Sequence, residues 1–586
     1  MWMLDSFYLR SNSGAPPLRV GLLLDSLRLQ GCFAEIVRHI QSSNFARVEL
    51  VVLNSEASNG AKATTAPRSF STKLMELLRD ERRRKTLLFE VYQRWDRGNV
   101  DPATDPHAAV DCSEHLHGVE KLVVAPIRKR FVHRFPPEAI ERIRASKLDV
   151  LIRFGFNILR GEVLNCAKYG VWSYHHGDGD FYRGGPAHFW EVYESNPLSG
   201  AMLQVLNEEL DAGKVLCKGV FATSPGLSRA RNLVTPYWGT NTFAIQKLRE
   251  LHQYGWEFVE RRASASGAYQ GRKKIYTAPN NLEMVRWIAP TLVRKSMRRV
   301  LQAQKISHWQ LAFRRGATSL VEGNAEPDMN GFQWIPTPHG HFYADPFLIE
   351  EHGTVWLYFE DFDYASRRAK IACAAMNDRG IEKPIPVLEP SYHLSYPCLL
   401  RDGNELFMIP ESGANGTVEL YRCTRFPDQW RLQKVLFKSA ARPLDTTVFK
   451  HDGIYWFFVT LRERRGSGTQ LWLFYSTAID GEWQPHRANP ISTDVRNSRS
   501  AGQVICERGR LYRPSQDCSR CYGNSFTLNE VLMLTQDEYE ERAHRRVGPT
   551  WARDLIGTHT YARVGDVEVI DGCVQVRAKS VGAAGV

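Results

Sequence analysis

The sequence predicts two folds in succession, an α/β Rossmann-like domain followed by an all-β five-bladed propeller. In the first half, short apolar runs alternate with amphipathic segments, which is typical of strands and helices that build a parallel sheet. In the second half, strand-like runs are separated by Asp-Gly turns, which favour tight hairpins. This second pattern returns five times, at intervals of about fifty residues, and each blade of a propeller is one four-stranded sheet.

The domain boundaries follow from these changes of pattern in a chain of 586 residues, which is too long for a single core. The predicted segments are a flexible N-terminus at 1–17, the α/β domain at 18–260, a basic helical linker at 261–305, the propeller at 306–578 and a flexible tail at 579–586.

Three strands and two helices define the α/β domain. The second helix opens on Pro136 and Pro137, whose fixed φ suits a first helical turn. No G-x-G-x-x-G follows the first strand, so a dinucleotide is not predicted, and ligands are expected beyond the carboxyl ends of the strands. The strands are predicted at Val20–Leu24, Val48–Leu53 and Leu148–Ile152, and the helices at Cys32–Ile40 and Pro136–Ile143.

Each repeat of the second half begins with an apolar strand that leads through a glycine turn into a second strand. The segment Trp309–Phe313 is predicted to supply a further strand that closes the ring. The five repeats begin at Ala344, Tyr396, Leu444, Ser500 and Thr558.

Composition and termini predict a soluble cytoplasmic protein. Hydrophobic residues make up 43% of the chain, enough for folded cores. No apolar run reaches the roughly 18 residues that span a membrane, and the N-terminus lacks the pattern of a signal peptide. The eleven cysteines are scattered, which indicates reduced thiols rather than a disulfide framework.

The formal charge of +12 raises the question of an anionic partner. No nucleic-acid-binding motif accompanies the basic clusters, so nucleic acid is not predicted as a partner. The clusters are either solvated faces or contacts for anionic lipid headgroups or a phosphate-bearing acceptor. The basic segment 264–305 is predicted as a helical linker packed between the domains, with an amphipathic helix on an anionic membrane surface as the alternative. The oligomeric state is not predicted.

The densest chemical signal lies at 170–216. His175 can donate a hydrogen bond or move a proton, since imidazole titrates near neutral pH, and Asp211 can orient His175. The alternative is a buried, hydrogen-bonded His–Asp pair without a chemical role.

This segment resembles the formyltransferases that use 10-formyltetrahydrofolate, such as the methionyl-tRNA and sugar N-formyltransferases. That family carries Asn-x-His, Arg-Gly, Thr-Gly and Asp-x-Gly in order, and this chain has His175, Arg183-Gly184, Ser199-Gly200 and Asp211-Ala-Gly213. The resemblance implies transfer of a formyl group from 10-formyltetrahydrofolate to an amino group of a sugar or glycan-linked acceptor, without a metal.

The resemblance also implies site residues. Transfer of an acyl group to an amine passes through an oxyanion that needs preorganised donors, and His175 and Asp211 are the predicted catalytic pair. Ser173 stands in place of the family asparagine as an oxyanion donor, and His176 is a replacement for the donor that this change weakens. The predicted cofactor-binding residues are Phe154, Gly155, Phe156, Asp178, Arg183 and Gly184.

The second half resembles family 43 glycoside hydrolases and the propeller domain of plant glucosamine inositolphosphorylceramide transferases. Asp345 and Asp445 match two aspartates of the hydrolases, whereas Gln503 stands where their general acid is expected. Glu411 is a substitute general acid, although nothing in its sequence spacing indicates that role. His559 completes the predicted sugar site. Sugar binding is preferred over hydrolysis. The alternatives are a hydrolase with a regulatory N-terminal domain and a non-catalytic carbohydrate-binding scaffold.

Overall fold

The computed structural model describes residues 8–56, 81–265, 267–301, 305–316, 319–322, 328–462, 465–466 and 468–583. The chain divides into two compact units, with the boundary between Met297 and Arg298. The N-terminal unit is α/β and the C-terminal unit is almost entirely β, so the chain as a whole is mostly β. Residues 1–7 and 584–586 of the predicted flexible ends lie outside the described residues.

The N-terminal unit contains both strands and helices. The strands are β1 (Leu18–Leu24), β2 (Arg28–Gln30), β3 (Ala46–Asn54), β4 (Ala109–Asp111), β5 (Glu120–Val124), β6 (Ile127–Lys129), β7 (Val132–Arg134), β8 (Val150–Arg153), β9 (Ile158–Leu159), β10 (Val171–His175), β11 (Leu198–Val205) and β12 (Lys214–Ala222). The α-helices are α1 (Gly31–Ser42), α2 (Glu81–Lys85), α3 (Leu87–Arg97), α4 (Pro137–Ala145), α5 (Trp190–Glu194), α6 (Arg229–Thr240), α7 (Phe243–Tyr254), α8 (Trp256–Arg261) and α9 (Asn281–Leu301).

The central sheet of this unit has the order β12-β11-β10-β8-β1-β3-β5. The strands from β10 to β5 are parallel, and β11 and β12 extend the sheet as an antiparallel hairpin. Alternate residues of β1 enter different cores: Leu22 and Leu24 pack on one face and Leu23 on the other. The three strands and two helices predicted from the sequence are confirmed as β1, β3, β8, α1 and α4.

The segment predicted as a linker over 261–305 contributes to the N-terminal unit as far as Met297. Met284 and Trp287 of α9 are buried there with Phe89 and Tyr92 of α3. At the other end, residues 8–17 also contact the unit, since the hydroxyl of Ser11 lies 2.8 Å from a ring nitrogen of His252. The exact domain boundaries stay predictions.

The C-terminal unit is built of antiparallel strands. In chain order they are β13 (Lys305–Arg315), β14 (Gln333–Trp334), β15 (His341–Glu351), β16 (Thr354–Asp363), β17 (Arg368–Asn377), β18 (Gly380–Ile381), β19 (Ile385–Leu388), β20 (Ser395–Asp402), β21 (Glu405–Ser412), β22 (Thr417–Arg425), β23 (Gln429–Lys438), β24 (Arg442–His451), β25 (Ile454–Arg462), β26 (Thr469–Ser476), β27 (Gln484–Pro485), β28 (Arg499–Ser500), β29 (Ile505–Glu507), β30 (Arg510–Asp517), β31 (Ser525–Leu534), β32 (Tyr539–Val547), β33 (Leu555–Gly557), β34 (Tyr561–Val564) and β35 (Val567–Arg577).

These strands form five successive sheets of four or five strands. Sheet I contains β15–β19, sheet II β20–β23, sheet III β24–β27 and sheet IV β28–β32. Sheet V joins both ends of the unit, because β13 pairs with β35 along its whole length. The predicted strand at Trp309–Phe313 therefore exists as part of β13 and connects the two ends of the region.

All eleven cysteines lie in the described residues and are free thiols. Within the described residues, no helix is both long enough and apolar enough to cross a membrane.

Candidate functional site

Three first strands of the C-terminal unit share one irregularity. The pairing register shifts between Ala344 and Phe347 in β15, and equivalent shifts interrupt β20 and β24. Each shift contains a non-glycine residue in the left-handed region: Asp345 (φ 53°), Tyr396 (φ 47°) and Asp445 (φ 46°). Bulges re-aim a side chain, and such backbone strain persists only where the surroundings hold it. The sequence repeat therefore corresponds, in these three strands, to a repeated bulge with one residue in the left-handed conformation.

A cavity of about 220 Å³ lies at these strands. Three of the four predicted sugar-site residues line it, and Asp445 is bonded to a lining residue, Arg499. The lining residues are Trp309, Phe342, Ala344, Asp345, Glu360, Phe362, His393, Ser395, Glu411, Arg442, Leu444, Arg462, Arg499, Tyr522 and His559.

Asp345 belongs to a buried polar chain that runs through His559. The Asp345 carboxylate accepts a 2.9 Å bond from the Thr560 hydroxyl and lies 3.7 Å from His559 Nε2. His559 Nδ1 lies 2.5 Å from a carboxylate oxygen of Asp571. Burial raises the pKa of Asp345 to about 6, with His559 opposing the rise and Asp445 adding to it. Burial acts to lower the pKa of His559, but Asp571 and Asp345 together raise it overall.

The same chain contains three groups with the chemistry of metal ligands, although the sequence predicted no metal. Ligand atoms of Asp345, His559 and Asp571 lie within 4.8 Å of one another. The Asp571 carboxylate already accepts bonds from the backbone N–H groups of His559 and Thr560 and faces His559 Nδ1. Internal hydrogen bonds therefore satisfy Asp571 without an ion.

Glu411 and Asp445 share a cationic environment. Arg499 donates to both carboxylate oxygens of Asp445, through Nε and, at 3.3 Å, through Nη2. Glu411 lies 3.8 Å from Arg499 and 3.5 Å from Arg442. Burial and the neighbouring Asp445 raise the pKa of Glu411 to about 8, against the opposing effect of Arg499. Glu411 is therefore mostly protonated at neutral pH.

Two arginines at the cavity are direct neighbours across a strand pair. Arg442 of β24 is opposite Arg462 of β25 in the antiparallel register. Like charges in such positions destabilise a sheet. Burial lowers the pKa of Arg462, and the nearby Arg499 and Arg442 lower it further. This side of the cavity therefore carries an excess of positive charge.

Sequence reasoning missed several lining residues. Glu360 was missed although it pairs with Ala344, the neighbour of Asp345; burial and then Asp345 raise its pKa well above the usual range. Trp309 was seen only as a strand residue, and its ring stacks on His559 at 3.9 Å. In the strand that follows Asp345, alternate residues face the same side, and this alternation could have pointed to Glu360. No local pattern in the sequence marks Arg499.

Two other repeat residues do not line the cavity. The Tyr396 hydroxyl lies 2.8 Å from the Thr447 hydroxyl and accepts a bond from the backbone N–H of Gly502, so it connects neighbouring sheets. Gln503, at the position expected for the hydrolase acid, donates to the backbone oxygen of Leu399 at 3.3 Å.

In the N-terminal unit, the predicted catalytic pair comes together after β10. His175 Nδ1 lies 3.3 Å from Asp211, and His175 Nε2 lies 2.9 Å from the backbone oxygen of Tyr182. Burial acts to lower the pKa of His175, but Asp211 together with the backbone oxygen of Tyr182 and the nearby Glu191 raises it overall. Burial acts to raise the pKa of Asp211, but His175 lowers it overall. The imidazolium thus has partners at both ring nitrogens.

The two predicted oxyanion donors are also near this pair. The Ser173 hydroxyl accepts a 3.0 Å bond from Arg153 Nε. The ring of His176 stacks on Tyr237 at 3.5 Å, and both of its nitrogens are buried without a hydrogen-bond partner in the described residues. Burial, with His188, lowers the pKa of His176 well below the usual range, so this ring is neutral.

The predicted cofactor loop follows β8. Phe154 stacks on Phe33 at 4.6 Å, and the backbone N–H of Phe156 donates to Asp25 at 2.8 Å. Gly155 lies against the backbone of β1, since a Cβ there would be 2.2 Å from the nitrogen of Asp25. These contacts hold the loop against the neighbouring strand.

The remaining predicted cofactor residues are hydrogen-bonded to groups of the same unit. Asp178 accepts a 2.7 Å bond from Lys218, and Arg183 donates to the backbone oxygen of Gly179. The N–H of Gly184 donates to Asp211 at 3.1 Å. Of these residues, Arg183 lines a cavity of about 440 Å³.

Comparison with known proteins gives a family match in the C-terminal unit. The family described as "Glucosamine inositolphosphorylceramide transferase 1, N-terminal" matches residues 335–547. The protein named glucosamine inositolphosphorylceramide transferase 1 from rice (Oryza sativa subsp. japonica) is 36% identical over 215 residues, which is 35% of this chain and 29% of the rice protein. Its Arabidopsis thaliana namesake is 35% identical over 210 residues, 34% of this chain and 27% of that protein. The match thus spans less than a third of these relatives.

Solved structures of two kinds align with part of the chain. The family 117 glycoside hydrolase Zg3597 of Zobellia galactanivorans aligns with 45% of this chain and 90% of its own at 11% identity and a TM-score of 0.30. Glycinamide ribonucleotide transformylase 1 of Symbiobacterium toebii aligns with 40% of this chain and 88% of its own at 14% identity and a TM-score of 0.25.

These comparisons correct the function predicted from the N-terminal motifs. Formyl transfer from 10-formyltetrahydrofolate is wrong for this chain, because the curated relatives are transferases named for glucosamine and inositolphosphorylceramide. The formyltransferase class and the folate donor are wrong for the same reason, and the family match gives the N-terminal resemblance no support. The cytoplasmic location is also wrong, since these relatives are named for a ceramide lipid. The resemblance of the second half to the glucosamine inositolphosphorylceramide transferases is confirmed: the chain is similar to them over residues 335–547.

Proposed function

We propose that the C-terminal unit binds the polyol-phosphate headgroup of an inositolphosphorylceramide-type lipid, which is the acceptor of a glycosyl transfer. The relatives' names supply the lipid class. The observation that carries the proposal is one cavity in which buried carboxylates lie beside two arginines that face each other across a strand pair. Carboxylates bind hydroxyl groups, and the arginine fork fits a phosphoryl group.

The proposal includes a five-bladed propeller around this cavity. Five sheets follow one another in the chain, and sheet V contains both ends of the region. Residues from all five sheets line the cavity, as expected where the first strands of blades converge. The bulge at Asp345 then turns this residue toward the ligand, and the bulge at Asp445 turns its carboxylate toward Arg499, which lines the cavity.

Each part of the headgroup has a matching part of the cavity. Asp345, Glu360 and Glu411 are hydrogen-bonding partners for the ring hydroxyls of the polyol. Arg442 and Arg462 are the partners of the phosphoryl group, which would relieve their mutual repulsion. The binding free energy of an anion is therefore more favourable here than at an arginine whose charge a carboxylate already neutralises.

Binding of myo-inositol 1-phosphate to the full chain, measured by titration calorimetry, tests the proposal. The wild type should bind, and Asp345→Asn should weaken binding about tenfold because the neutral amide loses charge-assisted hydrogen bonds to hydroxyls. Arg431→Leu removes an exposed arginine of β23 outside the cavity and should leave the affinity unchanged. Absence of binding to the wild type, or equal affinity in Asp345→Asn, would contradict the proposal.

A second candidate function is catalysis of the glycosyl transfer in the same cavity. The pKa of Glu411, about 8, makes it a proton donor at neutral pH, and the pKa of Asp345, about 6, makes it a proton acceptor. The acid would protonate the leaving oxygen as its bond to the sugar breaks, and the base would accept the proton of the attacking hydroxyl. Under this candidate, Glu411→Gln abolishes turnover while the headgroup still binds; retained turnover would exclude it.

A further inference from the structure

Two helices of the N-terminal unit expose apolar side chains to solvent. On α3 the exposed fractions are 38% for Leu88, 54% for Val91 and 59% for Trp95. On α9 they are 57% for Leu282, 52% for Val285, 50% for Leu292, 59% for Val293 and 57% for Met297. We call these eight residues the two-helix apolar surface.

The spacing of these residues gives each helix one apolar exposed stripe. Leu88, Val91 and Trp95 are separated by three and four positions, so they share a face of α3. The exposed α9 residues are three, seven, one and four positions apart, which still places them on one side of the helix, while Met284 and Trp287 on the other side are buried in the core. Both helices thus bury one apolar face and present a second one.

Contacts between the helices bring the two stripes into one neighbourhood. The rings of Tyr92 and Trp287 meet edge to face with centroids 5.4 Å apart. The N–H of Leu88 donates to the side-chain oxygen of Asn281 at 3.0 Å. The two stripes therefore lie on adjoining helices, unlike the isolated exposed hydrophobic residues that are normal on any protein.

Basic side chains accompany this surface. Arg94 and Arg97 of α3 and Arg286 of α9 are exposed, whereas Lys85 just before α3 is paired with Glu81 at 2.7 Å. Two of the neighbouring acids are engaged: Asp96 is buried and accepts bonds from Tyr92 and Ala230, and Glu283 accepts from Lys273. The charge near the apolar residues is therefore positive, which complements an anionic partner.

We propose that the two-helix apolar surface docks the protein on an anionic lipid bilayer. Apolar side chains flanked by cations on helices that lie parallel to the surface are the pattern of interfacial membrane binding. Trp95 is suited to the headgroup level, where the indole combines an apolar ring with a polar N–H. Arginines near the surface add attraction to anionic headgroups. This inference does not depend on the headgroup site in the C-terminal unit.

Flotation of the full chain with phosphatidylcholine vesicles, with and without phosphatidylserine, tests the inference. The wild type should float with the phosphatidylserine vesicles and much less with phosphatidylcholine alone. Val91→Ser with Trp95→Ser should lower the partition coefficient at least about tenfold, since it removes two inserted apolar groups. Arg94→Ser with Arg97→Ser should lower binding to the anionic vesicles and leave the neutral ones unchanged.

A matched control separates this surface from general hydrophobicity. Leu432 and Met533 of the C-terminal unit are 45% and 40% exposed. Their double change to serine should leave flotation at the wild-type level, and melting temperatures should show that all variants remain folded. The inference is overturned if wild type does not float, if the control loses as much binding as the Val91 and Trp95 variant, or if light scattering shows a dimer that the Val91 and Trp95 changes dissociate.

Discussion

Replacement of Glu411 by glutamine should flatten the pH dependence of the stability of the C-terminal unit. The pKa of this buried carboxyl rises from its ordinary 4.5 to about 8 in the folded protein. Because the pKa of Glu411 is higher in the folded protein than in the unfolded chain, the unfolded chain ionises first as the pH rises. The stability that the protonated Glu411 contributes is therefore fully present below pH 4.5 and is lost as the pH rises through 8. Glutamine has no proton to lose, so the variant lacks this contribution.

The size of the effect follows from the two pKa values. At pH 6 the folded carboxyl is protonated and the unfolded one is ionised, which costs about 2 kcal/mol of folding free energy. At pH 9 both are ionised and the cost reaches about 5 kcal/mol. The wild type should therefore lose about 3 kcal/mol between these two pH values through Glu411 alone. Asp345, with a pKa of about 6, contributes little over the same interval.

Scanning calorimetry of wild type and Glu411→Gln at pH 6 and pH 9 measures the difference. A loss of about 3 kcal/mol corresponds to a fall in melting temperature of about 5 °C for a unit of this size. The wild-type transition of the C-terminal unit should fall by that much more than the transition of the variant. Other titrating groups are common to both proteins, so equal shifts in the two would refute the protonated state assigned to Glu411.

Two further predictions concern packing and buried charge. Arg499→Met leaves the buried Asp445 carboxylate without its main partner, which should cost about 3–5 kcal/mol of folding free energy. Arg499→Met combined with Asp445→Leu should recover most of that loss. Calorimetry that shows the single variant as stable as the wild type would contradict the buried pair. Gly155→Ala should destabilise the N-terminal unit by at least about 2 kcal/mol, because its Cβ would meet backbone atoms of Leu24 and Asp25. Gly14→Ala, where no atom lies within 4 Å, is the matched control, and urea denaturation showing equal stability of the two variants would exclude this packing.

Much of the fold could be predicted because its signals are local. Asp402-Gly403 and Asp452-Gly453 mark hairpin turns by themselves, and the strands on either side follow at a fixed distance. In the α/β unit, β1, β3 and β8 appear as apolar runs because both faces of the sheet are covered. The antiparallel pairing of β11 and β12 has no such mark, since their buried runs look the same in either direction.

The chemistry was harder to predict because it depends on distant or backbone groups. Asp445 and Arg499 are 54 positions apart, and nothing near Arg499 in the sequence indicates its partner. His175 and Asp211 matched a motif and do lie together, yet the second ring nitrogen of His175 faces the backbone oxygen of Tyr182, and a backbone group has no sequence signature. The order of the motifs therefore predicted which side chains lie together, but it did not predict whether their hydrogen-bond donors already have partners.

The selectivity for phosphate over the bare polyol tests the central claim most directly. Titration calorimetry with myo-inositol 1-phosphate and with myo-inositol should show the phosphate ester bound at least about tenfold more tightly by the wild type, through Arg442 and Arg462. In Arg442→Leu with Arg462→Leu this preference should disappear while myo-inositol still binds. A preference unchanged by the double substitution, or no preference in the wild type, would contradict a headgroup site with its phosphate at these arginines.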